Sequence, residues 1–460
     1  MKPLCTCISG RTVYKYIQLK RHYRRYVSKM FQTFGKLQPP GTSYSCKSQK
    51  LMLYNDVIEP CHTGTYHLLP YGFRAFEKLL KVIDREMQAI GGQKMAMPSL
   101  AQAAVWKTSG RWDLVGAELF KLKDRHENEY CLGPTHEELV TNLFASISPI
   151  SHKRLPIMLY QITKKFRDEM NPKYALLRSR EFEMKDMYTF DSTETKAMET
   201  YEQVCEAYCR IFDTLKVPYV KVVGATGKIG GKLSHEFHFP ASIGEDSIFV
   251  CEKCGYGINS EMTSELQDKE NVIESCPTRS NHCGLKPTPG IEVGHAFLLG
   301  TKYSAIFNAH CRNSAGQIEL TYMGCFGLGV TRILQGCIEV LSSEKQIRWP
   351  QIIAPYQICI IPQKEGYLAK EFFEKALQLC DSLSQYPGVK DEVVIDDRIW
   401  MTVGKRQYEA TRMGYPFIIV TGKQTLEKPS VFEVIDTTND ETLFLTTDQI
   451  CDKMSAVKTV

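Results

Sequence analysis

The stretch Phe166-Arg167-Asp168-Glu169, answered by Arg178-Ser-Arg-Glu-Phe182 starting eleven residues after Arg167, constrains this chain more than any other. Residues 157–166 are rich in strand formers, and residues 170–174 carry turn chemistry around Asn171 and Pro172. Residues 181–190 return as a second strand, with Phe182, Met184, Tyr188 and Phe190 two or four apart. The spacing predicts a hairpin that brings Arg167, Glu169 and Phe182 near one another. An Arg clamps a phosphate, a Glu accepts from an adenine amino group, and a Phe covers a purine face. The plainer reading of Arg-x-Glu on a strand is a surface ion pair.

Further segments extend the pattern. Gly327-Leu-Gly-Val-Thr-Arg332, leading into Ile333 and on to Leu341, reads as a strand-to-helix junction. Its glycines Gly327 and Gly329 let backbone approach a ligand, and Arg332 enters the helix. Phe73, Phe76, Leu80, Ile83, Met87 and Ile90 repeat at helical spacing, Gly91-Gly92 ends that helix, and Met95-Ala-Met-Pro98 closes the unit. Asp191-Ser-Thr-Glu194 has a capping-box pattern. The helix face that follows, from Met198 through Tyr201, Tyr208 and Phe212 to Leu215, is core. Arg348-Trp-Pro350 marks a boundary. Beyond it, strands near 356–362, 392–396 and 417–420 alternate with helices near 369–383 and 405–412, which predicts a small α/β domain with a largely parallel core.

With 460 residues the chain is long enough for two or three domains. No apolar run approaches the roughly 20 residues that span a bilayer. Residues 1–50 hold eleven Lys or Arg and no Asp or Glu, whereas the remainder carries 46 Lys or Arg against 52 Asp or Glu. The basic, acid-free segment reads as a mitochondrial transit peptide, and its rival is a disordered basic arm that binds RNA. Most of the seventeen cysteines are scattered and read as free thiols. Cys251-x-x-Cys254 followed by Cys276 and Cys283, with His282 alongside, has the spacing of a loose zinc ribbon, and the alternative is a metal-free surface loop.

The ordered set formed by the 72–98, 156–190 and 324–341 segments resembles the three signature motifs of class II aminoacyl-tRNA synthetases. Between them, Trp112-Asp113 in Ser109-Gly-Arg-Trp-Asp, the run from Cys131 through Pro134-Thr-His-Glu-Glu138, Ile229-Gly-Gly-Lys-Leu-Ser-His-Glu-Phe237, and Gly300-Thr-Lys-Tyr303 resemble prolyl-tRNA synthetases, closest to the short mitochondrial form. Asp396-Asp-Arg398, Gly404-Lys405 and Gly414-Tyr-Pro416 resemble the anticodon-binding domain of class IIa enzymes. The resemblance runs from about Leu51 to the C-terminus. It implies an α+β class II catalytic domain built on an antiparallel sheet, followed by an α/β anticodon-binding domain. The expected division is 1–45 transit peptide, 46–347 catalytic domain with a cysteine-containing loop at 247–290, and 348–460 anticodon-binding domain. Residues 348–460 are not a generally basic surface, so RNA contact there is expected from a local patch.

The implied activity is proline--tRNA ligation in the mitochondrial matrix, with L-proline, ATP and tRNA(Pro) as partners, magnesium on the ATP, and a homodimer formed through the first motif. By resemblance, Arg167 bridges the α-phosphate and the proline carboxylate. Arg178 reaches the γ-phosphate, Phe182 stacks on adenine, Glu169 binds its amino group, and Arg332 lies across the nucleotide. Glu319 is the candidate carboxylate for magnesium. Thr135 and Glu137 suit the two donors of proline's secondary ammonium; a helix N-cap is the other reading of Thr135. His235 is placed in the proline pocket by the family pattern. The spacing between the second and third motifs is too short for the editing domain of many bacterial relatives. A proline pocket discriminates against smaller alanine by only about 1–3 kcal/mol per methylene, so fidelity must come from elsewhere as well. Two other readings remain at this level: a class IIa synthetase for another amino acid, and a non-enzymatic class IIa-like nucleic-acid-binding subunit. Replacing Arg167 by Ala lowers adenylate formation by at least about 10²-fold with the fold retained; near-normal pyrophosphate exchange in that variant removes Arg167 from the site.

Overall fold

The computed structural model describes residues 24–32, 46–251, 253–263 and 284–457. The chain divides into two compact units, one within 33–353 and the other within 354–459 together with residues 1–32.

In the first unit the predicted hairpin is present as two long antiparallel strands, Ile157–Phe166 and Glu181–Asp191, paired from Glu181 opposite Phe166 to Phe190 opposite Ile157. The strand Tyr322–Gly329 adds antiparallel on the other edge of Glu181–Asp191, and Leu285–Gly300 adds beyond it. Among the described residues these four are consecutive members of a nine-stranded sheet. The short strand Gln93–Lys94 pairs parallel at one end, directly after the Pro70–Ala89 helix. The helix Glu194–Leu215 covers one face with Tyr201, Tyr208, Ile211 and Phe212, all buried. Phe212 packs on Phe237 and Phe239 of the sheet. The Pro70–Ala89 helix is tied to both: Tyr160 donates to Asp84 at 2.9 Å, and Arg210 pairs with Glu86 at 3.0 Å.

Three local expectations shift. The buried stripe of Pro70–Ala89 includes Phe76, Ile83 and Met87 but leaves Phe73 46% exposed, because the stripe runs through Tyr71 and Ala75 instead. The cap of Glu194–Leu215 is Thr193, whose hydroxyl accepts from the Lys196 amide, while Asp191 accepts from Thr200. The domain boundary lies past 348, since Trp349 is buried with its ring 6.3 Å from that of Tyr71. Of the predicted zinc set, Cys276 and Cys283 lie outside the described residues; Cys251 is buried and Cys254 exposed. Among the described residues no group of three or more His, Cys, Asp or Glu is placed to hold a metal ion, and no helix is long and apolar enough to cross a membrane.

The second unit is the predicted α/β domain. Ile358–Ile361 lies between Val393–Ile395 and Phe417–Val420, all parallel, and Val431–Asp436 and Glu441–Thr446 continue antiparallel. Asp396 and Arg398 form a buried ion pair at 2.6 Å, and Arg398 also reaches Glu409 at 2.7 Å. Arg406 donates to the carbonyls of Asp396 and Pro362. Arg406 therefore ties together the ends of two parallel strands, and Arg398 ties Asp396 to the helix Val403–Met413.

Part of the expected presequence is a folded element of this unit. Arg25–Tyr26 is a parallel edge strand beside Val393–Ile395. Arg24 grips Asp381 through two hydrogen bonds of 2.9 and 2.6 Å, Arg25 pairs with Asp391 at 2.9 Å, and Ser28 donates its amide and hydroxyl to Asp397. Val27 is 3% exposed and Tyr26 packs against the domain core. Basic residues that read as a targeting signal in isolation thus find acidic partners more than 350 positions away. A chain starting at residue 33 unfolds roughly 5–10 °C below the full chain, as expected from losing one edge strand and the buried Val27 side chain. A chain starting at residue 24 unfolds with the full chain. Equal unfolding temperatures for both truncations, by calorimetry, would refute the strand's contribution.

Candidate active site

Strand alternation aims the site. In Glu181–Asp191 the residues Phe182, Met184 and Asp186 point to the face opposite the Glu194–Leu215 helix. Register carries that face across the sheet: Asp186 lies opposite Gly327, which lies opposite His295, and Cys325 lies opposite Phe297. A cavity of about 260 Å³ opens there. Thr135, Glu137, Arg167, Glu169, Arg178, Phe182, Gly327, Gly329 and Arg332 all line it, so the predicted phosphate, ring and amine groups converge on one space. Nothing but hydrogen replaces a side chain at Gly327, where a Cβ would meet only Met184 Sδ at 3.7 Å, so the floor stays open.

Arg167 follows the first hairpin strand directly. Its guanidinium carbon lies 5.3 Å from the centre of the Phe182 ring. Burial, and then the neighbouring charge of Arg332, push the Arg167 guanidinium below its usual range. Two guanidiniums that repel each other across an open cavity are relieved by an anion. Arg332 donates to the Glu292 carbonyl at 2.8 Å and lies 3.7 Å from its carboxylate. Burial opposes ionisation of Glu292, but a hydrogen bond from His295 and the charges of His295, Arg332 and His238 outweigh it and hold the carboxyl at about 2.

The loop between the hairpin strands closes over the cavity. Tyr174 and Ala175 adopt positive φ, and the turn Ala175–Leu177 is buried, with Leu176 and Leu177 lining the cavity. Met170, earlier in the same loop, is 90% exposed. Buried Gln335, on the helix Val330–Leu341, fixes the turn. Its Oε1 accepts from the Leu176 amide at 2.7 Å, and its Nε2 donates to the Tyr174 carbonyl and the Ser48 hydroxyl at 2.8 and 2.9 Å. Gly64, at φ +78°, supports the loop's return; a Cβ there would press on Arg180 and Pro172 at under 3.0 Å. Arg178 is gripped by Glu169 at 2.9 Å and Glu245 at 2.6 Å, and Lys173 joins Glu245 at 2.8 Å. An adjoining cavity of about 200 Å³ shares Glu169, Arg178, Glu292 and Arg332 and adds Glu245 and Asp246.

At the other end Glu137 is wholly buried at the start of the Glu137–Ile147 helix. Its Oε1 accepts from the Thr135 hydroxyl at 2.7 Å and from Cys325 Sγ at 3.1 Å. Thr135 is not the N-cap; that position is His136, and the Thr135 hydroxyl serves Glu137.

Two predicted residues fall outside. His235 pairs with Ala296 and so shares the face away from the cavity; its Nδ1 lies 2.8 Å from the Tyr201 hydroxyl, and burial, Lys221 and His295 lower its ring to about 4. The imidazole in the cavity is His295, 2.9 Å from Glu292 and 2.5 Å from the Ser234 hydroxyl, stacked on Phe297 at 3.9 Å. Glu319 is exposed on a separate three-stranded sheet and accepts from Asn313. Residues that sequence reasoning passed over are His295, Glu292, Gln335 and Arg111. Only Arg111 had a signal, since it stands inside the Ser-Gly-Arg-Trp-Asp segment from which Trp112 and Asp113 alone were singled out.

Comparison with known proteins adds to this geometry. Residues 120–341 match the family model described as "tRNA synthetase class II core domain (G, H, P, S and T)", and residues 357–456 match "Anticodon binding domain". A Rattus norvegicus protein named "Probable proline--tRNA ligase, mitochondrial" is 50% identical over 448 residues, covering 96% of this chain and 93% of its own. The Schizosaccharomyces pombe protein of the same name is 39% identical, covering 88% and 92%. The Thermotoga maritima "Proline--tRNA ligase" is 31% identical over 83% of this chain and 89% of its own; that alignment spans 521 positions, more than this chain's 460, so the bacterial protein holds sequence that this one lacks. A Cryptosporidium parvum prolyl-tRNA synthetase structure, "complexed with L-Proline and AMP", superposes with a TM-score of 0.71 at 20% identity over 88% of this chain and 73% of that one, which places the fold.

Replacing Gln335 by Leu strands the buried Leu176 amide and Tyr174 carbonyl. Amide exchange across 174–177 accelerates at least about fivefold, while exchange in the Ile157–Phe166 strand stays unchanged. An unaltered loop in hydrogen-exchange mass spectrometry would show that Gln335 does not hold it.

Proposed function

We infer the function from one premise, that this chain belongs to the proline--tRNA ligases of the class II tRNA synthetase family. It activates L-proline with ATP and transfers the prolyl group to tRNA(Pro). A carboxylate oxygen of proline attacks the α-phosphorus of ATP in line, the bond to the bridging oxygen breaks, and pyrophosphate leaves. A hydroxyl of the terminal adenosine of the tRNA then attacks the acyl carbon, and AMP leaves. Neither step needs a covalent bond to the protein. Positioning and charge stabilisation carry the catalysis.

The observation that carries this reading is the convergence of an arginine pair, an aromatic face and a buried carboxylate in one cavity of about 260 Å³. Arg167, beside the Phe182 ring in the cavity that Glu137 also lines, meets both reacting partners: the α-phosphate and the proline carboxylate. Phe182 covers adenine. Glu137, with Thr135 beside it, accepts from the ring ammonium; without that cation it is a buried anion whose pairing is incomplete. His295 takes the place proposed above for His235 in shaping the amino-acid end. Arg332 and Arg178 lie on the phosphate side. To reach the γ-phosphate Arg178 exchanges Glu169 and Glu245 for phosphate oxygens, and the same exchange frees Glu169 for the adenine amino group.

Magnesium on ATP takes most of its ligands from phosphate and water and needs only one or two protein carboxylates. Glu292 fits that need: it lines both cavities beside Arg332 and is held ionised. The ion's contribution is neutralisation of phosphate charge. The 354–459 unit receives tRNA(Pro), and two copies of the chain pair through the Pro70–Ala89 segment, where Phe73 offers an exposed apolar ring. The mitochondrion, named for the rat and yeast relatives, is the compartment, and the matrix is the site of action.

Proline-dependent exchange between ATP and labelled pyrophosphate tests the reading directly. Purified protein exchanges with proline, and at least about tenfold less with threonine or glycine. Preference for either of those assigns a different class IIa amino acid, and absence of exchange with any amino acid leaves a nucleic-acid-binding relative.

A further inference from the structure

Behind the proline end of the cavity stands a buried charge cluster of which the roles above use only Glu137. Arg111, on the short helix Arg111–Leu114, is 5% exposed and does not line the cavity. Its Nη1 donates to Glu137 Oε2 at 2.8 Å and to the Glu138 carboxylate at 3.1 and 3.2 Å. The guanidinium lies near two rings, its carbon 5.0 Å from the centre of Trp106 and 5.9 Å from that of Tyr303. The Ser109 hydroxyl, two residues earlier, donates to Glu138 at 2.8 Å. Two carboxylates therefore share one guanidinium as their hydrogen-bonded cation, and an ammonium entering from the cavity side would be a second cation for Glu137.

The geometry points to Arg111 as a positioning residue for amino-acid recognition: it clamps the Glu137 carboxylate so that its free lone pairs face the cavity and the proline ammonium completes the cluster. This role rests on the proline-activating reading above. Arginine suits it because a planar fork can serve two carboxylates and stack on rings, which a lysine point charge cannot. The remaining groups around Glu137 come from several elements. Cys325 and Thr135 donate to it, the Tyr188 hydroxyl touches Thr135 and the His136 amide, and Tyr303 and Lys302 lie within electrostatic reach of both Glu137 and Glu138. Burial opposes ionisation of Glu137, but Arg111, Thr135 and Cys325 outweigh it and keep its carboxyl below the ordinary range. Burial raises Glu138, with Arg111 drawing it down and Glu137 pushing it further up. The ionised carboxylate is thus the one on the cavity, and the more easily protonated one is behind it.

The test uses the full chain and pyrophosphate exchange, with KM for proline and KM for ATP measured separately between pH 6 and 9. Arg111→Gln raises the proline KM at least about 30-fold while the ATP KM moves less than about threefold. With the cation gone, burial prevails and Glu137 takes up a proton as pH falls, so the proline KM of the variant climbs toward acid in a limb that the parent protein lacks. Adding Glu138→Gln removes the second anion and restores proline affinity at least about threefold. Should Arg111→Gln fail to accumulate as folded protein, Arg111→Lys carries the test, with an intermediate rise in the proline KM alone. Equal movement of both KM values, no acid limb, or no recovery in the double variant overturns the assignment and leaves Arg111 as packing. If the parent protein exchanges with no amino acid, the reading of the site itself falls and the role of Arg111 falls with it.

Discussion

The backbone ladder that locks Glu181–Asp191 between Ile157–Phe166 and Tyr322–Gly329 is the constraint on which the site depends. Side chains alternate along a strand, so a slip of one residue would send Phe182, Met184 and Asp186 to the helix-covered face. In the observed register, Asp186, Gly327 and His295 form one row across three strands, and Cys325 and Phe297 form the next. Everything that lines the cavity is placed by these rows or by chain that leaves their ends. Arg167 follows one strand, Arg332 follows another, and the loop between Phe166 and Glu181 folds back over the opening.

Beneath the rows the protein buries charge in matched sets. Lys165 pairs with Asp186 at 2.8 Å, and Asp186 accepts from Gln161 and Tyr188 as well. Arg111 serves Glu137 and Glu138. Such groups cost several kcal/mol each to take from water, and removing one partner leaves the other unpaired. Their value here lies in fixed direction: a carboxylate held from three sides presents the same lone pairs to every substrate molecule. The phosphate side works by the opposite device. Arg167 and Arg332 repel each other, and Arg178 is held only by partly exposed carboxylates, so a bound anion relieves strain in one place and replaces weak partners in the other.

Legibility in the sequence followed range. The two hairpin strands, the helix ending at Gly91-Gly92, the junction at Gly329 and the alternation of the C-terminal domain were readable because a local period of 2 or 3.6 residues records which face is buried. Thr135, Glu137, Arg167, Glu169, Arg178, Phe182 and Arg332 were singled out by resemblance, since each sits in a segment whose pattern is contiguous, and the structure brings all seven to one cavity. His235 was read from a loop pattern, which does not say which side of a strand faces a cavity; it pairs with Ala296 on the far face, and the histidine lining the cavity is His295, sixty residues on. That Arg24, Arg25 and Ser28 have partners at Asp381, Asp391 and Asp397 was not readable locally, because those residues lie at the far end of the chain.

By itself, then, the sequence determined the elements, their order and the chemistry available at each motif, because strand alternation, helix caps and turn residues act over a few positions. Tertiary structure alone decided which chemistry is pooled. It brought Arg111 to Glu137 across 26 positions, Gln335 to Leu176 across 159, and Arg24 to Asp381 across 357. The physical reason is the same in each case. A buried charge or polar group must find a partner wherever the fold supplies one, and that partner is set by packing and register, which no local pattern encodes.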